Sequence, residues 1–162
     1  MKFCFNLGSS AKYIRVGLII FIVLTLCFIF GQSMLPPKAV EQESHAAAGF
    51  LARILSPESP LYILIRQNMA NIAHFCEYGI LGFFTSMYVA FFFDTERIAP
   101  IITLGFVETV AIIDETVQIF SGRSPQITDV LIDILGFATI SMITYVVLYF
   151  ISQHISRGKI NG

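Results

Sequence analysis

Long runs of hydrophobic residues alternate with short polar segments along the chain, and four of these runs are long enough to form membrane-spanning helices. They cover approximately residues 13–31, 72–93, 98–120 and 127–151. A transmembrane helix needs roughly 20 mainly apolar residues, about twice the length of a barrel strand. Because helices and closed barrels are the structures that satisfy their backbone in lipid, the pattern predicts an all-α integral membrane protein built as a four-helix bundle.

The first apolar run shares one feature with secretory signal peptides, since it is accompanied by Lys2, Lys12 and Arg15 at its N-terminal side. The run is long, however, and the residues FGQSM that follow make a poor small-x-small cleavage site. A retained helix over residues 13–31 is therefore favoured, and a cleaved signal peptide is the alternative.

The segment between the first two spans, residues 32–71, has a pattern of its own. Its stretch AVEQESHAAAGFLARIL, residues 39–55, predicts an amphipathic helix in the plane of the membrane interface. The apolar side of this helix consists of Phe50, Leu51, Ile54 and Leu55. Pro57 ends it, and Ser59 before Pro60 predicts the N-cap of a new helix that continues into the second span.

The positions of the basic residues predict the orientation, because Lys and Arg are enriched on the cytoplasmic side. Basic residues flank the two ends of the spanning region: Lys2, Lys12, Arg15, Arg157 and Lys159. We therefore expect residues 1–12, the turn at 94–97 and the tail at 152–162 to be cytoplasmic, and residues 32–71 and 121–126 to be outside. Three basic residues of the first outer segment oppose this assignment: Lys38, Arg53 and Arg66.

Composition supports the membrane class. Hydrophobic residues make up 56% of the chain and charged residues 13%, whereas soluble domains have about 45–50% and about 25%. The formal net charge of −1 gives no bias toward nucleic acid. Cys4, Cys27 and Cys76 show no spacing typical of a metal site or of a disulfide framework.

The carboxylates are the unusual feature of the spans. Of the eleven Asp and Glu residues, six lie inside predicted spans: Glu77, Glu108, Asp114, Glu115, Asp129 and Asp133. An acid at the centre of a membrane helix costs on the order of 2.5–3.5 kcal/mol. We therefore expect these side chains to face inward, line a wet cavity, bind a cation or be protonated.

Depth and helical spacing bring most of these residues to one place. With the predicted orientation, the second and fourth spans begin outside and the third ends there. The acids of these spans other than Glu108 therefore lie in the outer third of the bilayer. His74, Glu77 and Tyr78 share a helix face, and so do Asp129 and Asp133. The pattern predicts an outward-facing polar pocket. Its candidate catalytic residues are His74, Glu77, Asp114, Glu115 and Asp129, and its candidate ligand-binding residues are Tyr78, Gln118, Arg123, Ser124 and Asp133.

The residue types leave the chemistry open. His74 or Glu115 would serve as general acid or base in an enzyme, and Arg123 would hold an anionic group. A divalent cation is a candidate cofactor, with the ligands Asp114, Asp129 and Asp133, although no HExxH motif is present. Two other function classes are a proton or cation pathway through Glu108, which lies near mid-membrane, and a non-catalytic interaction protein whose acids hold helices together.

Three sequence blocks resemble one known family. They are NIAHFCEYGILGF at residues 71–83, IIDETVQIFSGRS at 112–124 and TDVLIDILG at 128–136. Their order and spacing resemble the VanZ-like membrane proteins over about residues 28–150. The second block, followed by Asp-Val, is the more specific part.

The resemblance implies a small multi-span protein of the bacterial cytoplasmic membrane. The family takes its name from a member linked to low-level resistance to the glycopeptide teicoplanin, so the resemblance implies a lipid-linked or peptidoglycan-related envelope component as partner. Relatives usually carry Asn where this chain has Asp133, and often Arg-Lys where it has Ala70 and Asn71. Both differences make the predicted pocket more acidic.

Overall fold

The computed structural model describes residues 8–93 and 99–158, and these residues are helical with no strand among them. The predicted all-α class is confirmed for this part of the chain. A short 3-10 turn, Gly8–Ser10, leads into the helices, which are α1 (Ala11–Ser33), α2 (Pro37–Leu51), α3 (Pro60–Gln67), α4 (Met69–Phe92), α5 (Ala99–Phe120) and α6 (Ile127–Gly158). The predicted turn at 94–97 and the residues Lys2, Cys4 and Lys159 lie outside the described residues.

Within residues 8–93 and 99–158, three helices are long and apolar enough to cross a membrane. They are Ala11–Ser33, Met69–Phe92 and, within α6, Ile127–Ile155. The helix α5 has 22 residues but carries Glu108, Asp114 and Glu115, and it is not among these three. The structure therefore describes a helical membrane protein, and the fourth span stays a prediction.

The segment between α1 and α4 differs from the prediction in two places. The helix expected over residues 39–55 begins earlier, at Pro37, and ends at Leu51, where hydrogen bonds from Arg53 N to Phe50 O and from Ile54 N to Leu51 O tighten the chain into turns. The helix beginning at Pro60 has the expected cap, because the Ser59 hydroxyl accepts a hydrogen bond from Tyr62 N at 3.1 Å.

That helix, α3, ends at Gln67 instead of continuing into α4. Asn68 interrupts it with φ −111° and ψ 20°, and its side-chain amide donates to the Leu64 carbonyl at 2.9 Å. Asparagine competes for backbone hydrogen bonds in this way and so favours helix ends. The break lets α4 leave α3 in its own direction.

Close contact between α4 and α6 forms the centre of the molecule. Glycine permits it: a Cβ on Gly136 would lie 2.4 Å from Phe75 O, and a Cβ on Gly82 would lie 2.6 Å from Phe137 O. Small residues let membrane helices approach closely in this manner. The helix α1 packs on α4, and α5 packs on α6 and α1. The buried core between them comprises Ile29, Tyr78, Leu81, Val107, Val110, Ala111 and Phe137.

Candidate functional site

A histidine–aspartate pair lies where α4 and α6 meet. His74 Nδ1 and Asp133 Oδ1 are 3.0 Å apart. Asp133 has no exposed surface and His74 is 8% exposed. The pair lies beside the contact between Phe75 and Gly136, so the same glycine that lets the helices approach also brings the imidazole within reach of the carboxylate.

A second buried carboxylate comes from α5. Asp114 is 1% exposed, and its Oδ1 accepts a hydrogen bond from the Ser33 hydroxyl at the end of α1. One ligand atom each from His74, Asp114 and Asp133 lie within 4.8 Å of one another. These three residues, here called the buried triad, join three helices, and Ser33 attaches the fourth.

Two polar atoms beside the buried triad have no hydrogen-bond partner among the described residues. They are Asp133 Oδ2 and the Tyr78 hydroxyl, both inaccessible to solvent. Tyr78 lies one helical turn after His74, near enough to Asp114 and Asp133 for their charges to act on it. A buried polar group without a partner costs about 1–3 kcal/mol. A bound species that supplied partners to these two atoms would remove this cost.

Glu115 has a different environment. Its Oε1 accepts a hydrogen bond from Gln118 Nε2, and its Oε2 accepts one from Gln126 N, both at 2.8 Å. Gln126 immediately precedes α6. Both carboxylate oxygens therefore bind groups of this chain, and Glu115 joins α5 to the start of α6.

The turn after α5 positions Arg123. Gly122 adopts φ +79°, and hydrogen bonds run from Gly122 N to Ile119 O and from Arg123 N to Gln118 O. This is the Schellman arrangement, in which a left-handed residue, usually glycine, ends a helix. It reverses the chain so that Arg123 contributes to the wall of a cavity.

That cavity, here called the polar cavity, has a volume of about 210 Å³. Its polar lining consists of Gln32, Ser33, Glu43, Ser44, His74, Glu77 and Arg123. A neighbouring cavity of about 420 Å³, here called the α2 cavity, shares Arg123, Val40, Ser44 and Met69 with it and adds Arg66, Glu41 and His45. The helix α2 thus contributes to both cavities.

Comparison with known proteins assigns the family. The VanZ/LLP1 family model matches residues 18–150 of the 162. The chain belongs to the VanZ/LLP1 family. No curated protein and no solved structure matches it. The resemblance seen in the three sequence blocks is confirmed at the family level, and the match extends across most of α1.

The structure of this VanZ/LLP1 protein separates the ten predicted site residues into groups. His74, Asp114 and Asp133 come together, with Tyr78 beside them, and Glu77 and Arg123 line the polar cavity. Gln118 is buried and supports Glu115. Asp129 is half-buried in the first turn of α6 and is not part of the buried triad, and Ser124 is exposed.

Sequence reasoning missed the contribution of α1 and α2. Ser33 contacts Asp114, and Glu43 and Ser44 line the polar cavity, whereas the sequence pattern suggested only an interfacial role for α2. The polar pair Gln32–Ser33 at the end of an otherwise apolar helix was the available signal for α1. Glu108 is exposed while Glu115 is buried, although the sequence predicted that the acids of the spans face inward, line a wet cavity, bind a cation or are protonated.

Proposed function

We propose that this VanZ/LLP1 protein binds the polar headgroup of a cell-envelope component in the polar cavity, and that it lies in the bacterial cytoplasmic membrane with both termini inside. The observation that carries the proposal is the lining of the cavity, to which Glu43, Glu77 and Arg123 contribute together with His74. Both signs of charge occur there next to apolar residues. A lipid-linked envelope molecule has a polar headgroup that suits the charged residues and an apolar chain that suits the apolar residues beside them.

The size of the cavity limits the ligand. Its volume of about 210 Å³ is below the roughly 300–1,000 Å³ of sites that enclose drug-sized molecules. A glycopeptide antibiotic is far larger than this cavity. An effect on glycopeptide susceptibility would therefore act through the envelope component and not through enclosure of the drug.

The charges favour a headgroup that carries a positive as well as a negative group. Arg123 is the cation of the polar cavity, and Glu43 and Glu77 are its acids. Ala70 also lines the cavity, at a position where VanZ-like relatives often carry a basic residue. An anionic group paired with Arg123 and an amine near the two acids would satisfy both signs of charge.

Drug susceptibility in a gene-deletion strain tests the proposal. The strain would be complemented with wild-type protein, Glu77→Gln or Arg123→Gln at matched membrane levels, and the inhibitory concentration of teicoplanin would be measured. We expect both variants to lose the wild-type effect. Glu58→Gln is the matched control, because Glu58 is exposed and lines neither cavity. The proposal would be contradicted if the deletion strain had the same teicoplanin susceptibility with either cavity variant as with wild-type protein.

The structure favours this function over a proton or cation pathway. Glu108, on which the pathway depended, is exposed on α5, whereas Asp114 and Glu115 are buried. A relay requires ionisable groups within hydrogen-bonding reach of one another along the path. The buried acids instead gather around His74 and the end of α5.

A further inference from the structure

We propose that the buried triad of His74, Asp114 and Asp133 binds one divalent first-row transition-metal ion, with Zn²⁺ or Mn²⁺ as the most suitable ions. The argument for this metal site does not depend on which ligand occupies the polar cavity, although His74 and Ser33 also line that cavity. It also differs from the cation site suggested by the sequence, because His74 replaces Asp129 as a ligand.

Geometry is the first argument. The three ligand atoms lie within 4.8 Å of one another, and ligands at about 2.0–2.2 Å from one zinc ion are roughly 3.5 Å apart. Small side-chain rotations therefore bring them onto a common ion. The ligands come from α4, α5 and α6, and the close approach of α4 and α6 at Gly136 brings His74 and Asp133 side by side.

The unpartnered atoms are a second and independent argument. Asp133 Oδ2 is buried and free among the described residues, so Asp133 can bind an ion with that oxygen. The Tyr78 hydroxyl, also buried without a partner, can donate to a carboxylate or to a water on the ion. Ser33 already donates to Asp114, and hydrogen bonds of this kind orient ligands for a metal.

Charge points to a divalent ion. Two carboxylates and a neutral imidazole carry a charge of about −2, which one divalent cation neutralises. Among the described residues, no Lys or Arg forms an ion pair with Asp114 or Asp133; the one ion-pair partner is His74. Buried charges in proteins are paired or coordinate metals.

The ligand types select the kind of metal. An imidazole nitrogen suits zinc, copper, iron and nickel sites, and carboxylate oxygens suit manganese, whereas calcium and magnesium prefer sets made of oxygen ligands alone. Metal binding at His74 Nδ1 would replace the hydrogen bond that this nitrogen makes with Asp133 Oδ1.

Metal analysis of the full chain tests the site. The protein would be purified in detergent with a tag that lacks histidine, and its metal content measured by mass spectrometry. We expect about one ion per chain in wild type and a loss of most of it in His74→Gln and Asp133→Asn. His45→Gln is the matched control, because His45 is exposed and pairs only with Glu41, at 3.7 Å, so its metal content should equal that of wild type.

Cobalt substitution provides a second measurement that does not depend on the metal acquired during expression. Co²⁺ added to chelator-treated wild type should produce visible d–d absorption, and His74→Gln should abolish it. Ser33→Ala keeps all three ligands and should weaken Co²⁺ binding about 10-fold while the spectrum persists, as for loss of a hydrogen bond to a metal ligand.

Two results would overturn the site. One is wild-type protein that neither contains a metal nor binds Co²⁺, which is decisive even if a variant fails to fold. The other is equal binding by wild type and His74→Gln. This test can be separated from the test of the proposed function. If the protein binds a metal but Glu77→Gln and Arg123→Gln leave susceptibility unchanged, the metal site is supported and the envelope-ligand proposal is contradicted.

Discussion

Individual carboxylates of this protein have different tasks although they lie near one another. Asp114 and Asp133 lie close to His74, and Asp133 keeps one oxygen without a partner among the described residues. Glu115 instead uses both oxygens on neighbouring groups of its own chain. Glu77 faces a cavity. Hydrogen-bond partners distinguish them, because burial alone is shared by Asp114, Glu115 and Asp133.

Replacement of Glu115 tests its structural role. Glu115→Ala leaves the buried amide of Gln118 and the partly buried Gln126 N–H without their acceptor, and we expect a loss of about 1–3 kcal/mol in the free energy of unfolding. Glu115→Gln should cost less, because its amide can exchange hydrogen bonds with Gln118 after a flip of that side chain. Thermal unfolding in detergent measures both.

Glu108→Ala is the control for this prediction, since Glu108 lies on the same helix and is exposed. Removal of this exposed acid from an apolar helix should not lower the free energy of unfolding. If Glu115→Ala unfolds at the same temperature as Glu108→Ala, the carboxylate does not hold the start of α6.

At the scale of elements, the approach of α4 and α6 decides whether the buried triad exists. The Gly136 Cα faces the backbone of Phe75, with no space for a methyl group. The contacting atoms belong to a helix backbone and cannot rotate away as a side chain can. Asp133 lies one turn before Gly136 on α6, so any separation of the helices also lengthens the distance between His74 and Asp133.

Gly136→Ala should therefore destabilise the protein by about 1–3 kcal/mol, the usual cost of overpacking, and lower its metal content. Gly105→Ala is the matched control, because nothing lies within 4 Å of a Cβ added there, and alanine should be tolerated or stabilising in a helix. Thermal unfolding and metal analysis of both variants check the prediction. Equal results for the two would show that the glycine contact does not maintain the site.

At the scale of the whole molecule, apolar surface surrounds a small polar interior. Large hydrophobic side chains are exposed on each of the four long helices, as in Phe28, Ile80, Ile112 and Leu135. The buried triad and Glu115 lie at the end of α5 that leads to the loop before α6. Lipid is the solvent that such a surface suits.

Cysteine labelling tests the predicted orientation and the fourth span together. Background cysteines would first be replaced by serine, and Phe93→Cys, directly after α4, and Ser124→Cys, after the end of α5, introduced separately. Both positions are exposed. We expect a membrane-impermeant maleimide to label Ser124→Cys in intact cells and Phe93→Cys only after permeabilisation. Labelling of both from the same side would show that α5 does not cross the membrane.

The sequence alone determined the membrane class, the helical architecture, the family and the cap at Ser59. These features depend on local quantities: the length of an apolar run, helical periodicity and the chemistry of a few adjacent residues. The same quantities predicted that His74, Asp114 and Asp133 lie on three helices at similar depth.

Only the tertiary structure decided which of these residues meet. The pairing of His74 with Asp133, the hydrogen bond from Ser33 to Asp114 and the engagement of Glu115 by Gln126 depend on the rotation and spacing of helices that are distant in sequence. Helical periodicity shows which residues share one face of a helix, but it does not show which face of another helix packs against them. The glycine contact at Gly136, the turn at Gly122 and the break at Asn68 set those rotations and distances, and so separate the buried triad from Glu115.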